Sequence, residues 1–109
     1  MAPTGKDASE GENAICRAIR DRALLTFVYD GRLRIVEPYC HGTSRKGAEL
    51  LRAVQVAGDT SSGEPSYGFG KLWTVAKMRD IRIADGIFEP DDPGYNPDDQ
   101  ALAHIHCRV

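Results

Sequence analysis

At 109 residues, 41% hydrophobic and 28% charged, the chain has the length and composition of one globular domain. No apolar run approaches the roughly 20 residues of a membrane span, and the opening MAPTGKDASEGEN lacks the apolar stretch of a signal peptide. The net charge of −2 conceals an asymmetry: residues 13–84 carry 12 Lys/Arg against 7 Asp/Glu, and residues 85–109 carry 1 against 6.

A basic body with an acidic tail is expected to attract anions more strongly than its net charge suggests. The three cysteines, Cys16, Cys40 and Cys107, make no even framework, so free thiols in a reducing cytoplasm are the expectation, with no membrane partner.

Residues 1–12 are small, polar and glycine-rich and are expected to be disordered. Ala14, Ile15, Ala18 and Ile19 follow helical spacing, which predicts a short amphipathic helix over 13–22, with Asn13 as N-cap or Ser9 and Glu12 as a capping box. So short a helix is marginal alone and must dock on something. Residues 24–29 are rich in β-formers, and Asp30-Gly31 is a strong two-residue hairpin signal. The return strand sets Leu33 and Ile35 on one side, with Arg32, Arg34 and Glu37 interrupting the other. Pro38 marks an edge or bulge, and residues 41–47 read as a loop.

Residues 50–56 form the third predicted strand, with Leu51, Ala53 and Gln55 opposite Leu50, Arg52, Val54 and Val56. A long glycine- and serine-rich connection follows over 58–70. Residues 71–75 and 80–84 are the fourth and fifth strands, joined by a tight turn and offering Leu72, Trp73, Val75, Ile81 and Ile83 to the core. EPDDPGYNPDD reads as an extended strap, and 101–109 alternates weakly, a pattern that could add an edge strand.

The expected architecture is therefore mainly β. One short helix precedes a small five-stranded SH3- or Sm-like barrel over 13–84, with an acidic, proline-rich strap over 85–109. A sandwich would want more strands.

Three candidate sites emerge. Arg34, Arg52 and Lys77 fall on different strands or strand ends, and if they converge they form a fork for a phosphate. The alternative is three solvated residues paired with Glu37, Glu49 or Asp80. Ser44-Arg45-Lys46-Gly47 is a basic loop whose backbone N–H groups can form an anion nest, or else a solvated connection; it lacks P-loop spacing. Among the aromatics, Phe27 and Trp73 read as core, while Tyr39, Tyr67 and Phe69 flank loops and suit base stacking.

Cys40-His41 and His104-x-His106-Cys107 together offer metal ligands that meet only if the C-terminal segment folds back beside the second strand. Their spacing fits no structural zinc pattern, so no metal and no cofactor are expected. No nucleophile has a recognisable partner, and a non-catalytic protein is expected.

The order of these signals resembles the WYL domain, a family of Sm-like barrels in bacterial transcription regulators and defence-associated proteins. The resemblance covers about residues 13–84 and is carried by AICRAIRDR, LLTFVYDGRLRIVEPY and ELLRAVQV, with the R-x-V-x-P pattern on Arg34, Val36 and Pro38. The tripeptide that names the family aligns with Glu49-Leu50-Leu51, and Lys77 stands where arginine is usual. The resemblance implies a basic barrel face that holds single-stranded nucleic acid or a nucleotide-like effector and so regulates transcription. Family members usually carry a helix-turn-helix domain before the barrel, which here would belong to a separate chain. The alternative is a protein-interaction or homodimerisation module with no nucleic-acid ligand.

Overall fold

The computed structural model describes residues 7–58, 71–90 and 95–109. Helix α1 spans Asp7–Asp21, beginning earlier than the expected start at 13. The helix thus takes in residues 7–12 of the stretch expected to be disordered. Ile15, Ala18 and Ile19 are fully buried and dock the helix on the sheet. Arg22, in the left-handed region at φ 55°, ends the helix and turns the chain into β1 (Ala23–Tyr29).

The hairpin forms where Asp30-Gly31 predicts it. Both residues have positive φ, 55° and 74°, as a type I′ turn requires. Strand β2 (Arg32–Thr43) then runs twelve residues, so the loop expected over 41–47 opens only after Thr43. The pairing explains the extension. β1 partners residues 32–36, β3 (Glu49–Gly58) runs along the other edge, and β6 (His104–Arg108) pairs with Cys40 to Thr43 beyond the end of β1. A register shift between Pro38 and Cys40 marks the bulge that Pro38 suggested.

Strand β4 (Lys71–Thr74), a 3-10 turn over Val75–Lys77 and β5 (Arg79–Ile87) complete the sheet. Among the described residues it has six antiparallel strands in the order β4-β3-β2-β1-β5, with β6 also on β2. The five expected strands become six because the C-terminal segment adds the edge strand that its alternation allowed. The sheet is not closed: β4 and β5 stand at its ends.

Apolar side chains fill both faces. Leu25, Phe27, Val36, Leu51, Ala53 and Trp73 pack with α1 on one face. Tyr39, Cys40, Phe88 and Leu102 form a second cluster, with Tyr95 against it. On β2 the buried side is that of Arg34, Val36 and Pro38, whereas Leu33 is 48% exposed. The strand's obvious apolar alternation, Leu33 and Ile35, thus faces away from α1.

The cysteines depart from expectation. Cys16 of α1 and Cys107 of β6 form a disulfide, leaving Cys40 as a buried free thiol. Among the described residues, no helix is long and apolar enough to cross a membrane.

Candidate binding surfaces and a histidine cluster

The structure does not bring Arg34, Arg52 and Lys77 together. Arg34 lies opposite Phe27 on the α1 side and is only 1% exposed. Its guanidinium donates to the Tyr29 carbonyl at 3.1 and 3.3 Å and to Gln55 Oε1 at 3.4 Å, and lies over the Tyr29 and Trp73 rings. Buried cations persist only when satisfied this way, so Arg34 is a core residue.

Arg52 sits between Leu51 and Ala53 on β3, so alternation points it to the opposite face. There it donates to both oxygens of Asp99 at 2.7 and 3.0 Å. Lys77 is exposed on the 3-10 turn. Two faces and a strand end cannot make one fork.

The basic turn is also pre-engaged. The Ser44 N–H donates to the Ala48 carbonyl, and Gly47 N–H and Ala48 N–H donate to the Ser44 carbonyl and hydroxyl. Those three N–H groups therefore offer no anion nest, although Arg45 and Lys46 themselves remain exposed. Tyr39 is 2% exposed and packs between Phe88 and Tyr95, so it cannot stack on a base. Tyr67 and Phe69 lie outside the described residues.

The cations available on the sheet are ones the sequence did not single out. Arg79 and Arg82 lie on the end strand β5, opposite Val28 and Thr26, and both are exposed. Neither makes an ion pair among the described residues. Directly paired residues of antiparallel strands share a face, so both arginines share the face of Val28 and its other partner Leu33.

The second concentration of chemistry is a histidine cluster where β2, β3 and β6 meet. β6 folds back beside β2, so Cys40-His41 and His104-x-His106-Cys107 do come together, and His41 pairs directly with Cys107. A register shift between His41 and Gly42 leaves His106 in a bulge. Gly42 is needed there, because a Cβ would collide with the His104 carbonyl oxygen. Across β3, Thr43 pairs with Glu49.

In the resulting cluster Glu49 Oε1 lies 3.0 Å from His41 Nε2 and 3.1 Å from His106 Nε2. The Thr43 hydroxyl donates to Glu49 Oε2 at 2.7 Å and touches His106 Nε2 at 2.9 Å. His41 Nδ1 faces Cys16 Sγ of the disulfide at 3.6 Å. Burial holds the His41 pKa below its ordinary value; the Glu49 carboxylate pulls upward and does not prevail. Burial alone would raise Glu49, but the Thr43 hydrogen bond and the two imidazoles hold its carboxyl below the usual range. His41 and Glu49 form an ion pair only when His41 is protonated, and no well-aligned hydrogen bond satisfies the buried Nε2.

Two histidines and a carboxylate are a recognised metal-ligand set. The thiols nearby are tied in the disulfide, and burial pushes the Cys40 thiol up to about 11, so it stays protonated at neutral pH. The sequence suggested both histidine clusters but missed Glu49 as their partner. Counting back across the 44–48 turn from Thr43 would have found it.

Compared with known proteins, the chain matches no family model, no curated protein and no solved structure.

Proposed function

We propose that the chain is a non-catalytic regulatory module, a small Sm-like unit of the WYL kind. It holds single-stranded nucleic acid or a nucleotide-like anion on exposed cations of its sheet. The observation that carries this reading is the pair Arg79 and Arg82, exposed on one face of the end strand with no acidic partner among the described residues. The basic excess over 13–84 and the Arg34-Val36-Pro38 pattern also support it. Arg45, Lys46 and Lys77 extend the field, while Arg34, Arg52 and Tyr39 hold the fold.

The test is fluorescence-anisotropy titration of short single-stranded DNA and RNA at two salt concentrations. Replacing both Arg79 and Arg82 by alanine should weaken binding about tenfold and flatten the log K against log salt slope by about 1.4, the share of two phosphate contacts. Salt-independent binding, or full affinity in the double variant, would overturn the reading.

A second reading is favoured by the apolar side of the same face. Leu33, Val56 and Leu72 are 48, 37 and 38% exposed, and alternation directs all three away from α1. A self-associating module would use them, and sedimentation of a Leu33→Glu variant distinguishes it: a dimer in the parent and a monomer in the variant favour association.

A further inference from the structure

The histidine cluster carries an inference independent of anion binding. His41 is 2% exposed, and its Nε2 has no hydrogen bond. In the tautomer that carries the proton on Nδ1, facing the accepting Cys16 Sγ at 3.6 Å, the lone pair of Nε2 is open to a metal. His41 Nε2 itself lies 3.0 Å from the carboxylate oxygen Glu49 Oε1. In that tautomer the nitrogen and the carboxylate are two acceptors at close range, an arrangement that a cation between them would stabilise. His106 Nε2 approaches the same oxygen from β6 at 3.1 Å.

We propose that His41 Nε2, His106 Nε2 and the Glu49 carboxylate bind one divalent transition-metal ion, with zinc the best fit. All three ligand atoms lie within 4.8 Å of one another. Donors held about 2.0–2.2 Å from a tetrahedral zinc stand roughly 3.3–3.5 Å apart, so the two short contacts need open by only a few tenths of an ångström. Imidazole and carboxylate suit zinc better than calcium or magnesium, which prefer all-oxygen sets.

The supporting contacts are in place. The Thr43 hydroxyl orients the carboxylate, as outer-shell groups do around metal ligands, and the Cys16 sulfur faces the far nitrogen of His41. Three different strands supply the geometry: β2 fixes His41, β3 fixes Glu49, and the bulge in β6 aims His106. His106 and Glu49 are each about one-third exposed, so the fourth position opens to solvent and would take a water.

The test titrates Zn2+ alone into the disulfide-bonded chain against a chromophoric chelator, with Co2+ absorption as a second readout. One equivalent should bind, and Co2+ should give a tetrahedral-type visible spectrum. Glu49→Gln and His106→Ala alter partly exposed side chains, and should each lower affinity by more than about 100-fold, since outer-shell losses alone cost 10–100-fold. His104→Ala, whose ring only neighbours His106, should bind as the parent does. Circular dichroism checks that each variant is folded, and Glu49→Gln suffices if His106→Ala is not.

No saturable binding in the oxidised chain would overturn the proposal. So would full affinity in a folded Glu49→Gln variant, or binding that appears only after Cys16 and Cys107 are reduced, which would assign the metal to the thiolates and His41.

Discussion

Arg34 shows how far a residue's role depends on which face of a strand is buried. As a sequence feature it is one of two arginines at the start of a strand; in the fold it fills space beside Trp73 and satisfies Tyr29 and Gln55. Arg34→Ala should therefore act on stability, leaving a cavity and unpaired acceptors at a cost of about 2–4 kcal/mol. Arg79→Ala on the surface should stay within about 0.5 kcal/mol of the parent. Urea denaturation of both variants measures the contrast, and equal midpoints would contradict the buried role of Arg34. Alternation in residues 32–37 was legible, but a period of two says only that neighbours point apart. Which parity faces the helix is decided by α1 and Trp73, elements far from β2 in sequence.

At the scale of elements, Asp99 anchors the C-terminal segment that leads into β6. Asp99 is 7% exposed, grips Arg52 through both oxygens and accepts the Ala101 N–H at 3.1 Å. The Arg52 hydrogen bond holds the Asp99 carboxyl below its ordinary value; burial opposes this, and the Ala101 N–H assists it. A depressed folded pKa means the stabilising contribution is complete above the unfolded value of about 4. It fades as pH falls through the folded value. Asp99→Asn should thus lower the melting temperature at pH 7, and the gap to the parent should narrow as pH drops below about 4. A gap constant across that range would show that the ion pair adds nothing. Asp98, exposed and 3.6 Å from Arg108, should tolerate the same change. The acidic, proline-rich run suggested an extended segment. Its anchoring through Asp99 was not legible, because Asp99 and Arg52 are 47 residues apart and meet only once β6 has paired with β2.

For the whole molecule, the disulfide joins α1 to the final strand across a sequence separation of 91 residues. Closing so long a loop restricts the unfolded chain, and removing the bond should cost about 2–4 kcal/mol. A Cys16→Ser/Cys107→Ser double variant, compared with the parent by urea denaturation with and without reductant, checks this. The parent in reductant should approach the variant, and an unchanged midpoint would show that α1 and β6 hold together by packing alone. A disulfide of this kind persists in oxidising surroundings and is rare in the cytosol, which weakens the inference drawn from an odd cysteine count.

The sequence by itself determined the local features. Asp30-Gly31 specified a tight hairpin, residues 50–56 announced their two faces, and Ile15, Ala18 and Ile19 marked the stripe that docks the helix. These follow from backbone sterics and periodicity, which act over a few residues. The tertiary structure alone decided that Cys16 meets Cys107, that Arg34 is core, and that His41, Glu49 and His106 share one pocket of chemistry. The disulfide and the histidine cluster depend on β6 returning to the second half of β2, where Gly42 lets the backbones approach, and the burial of Arg34 depends on α1 and Trp73 covering its face. Such long-range pairing is selected by burial summed over the whole chain, so no local pattern could announce it.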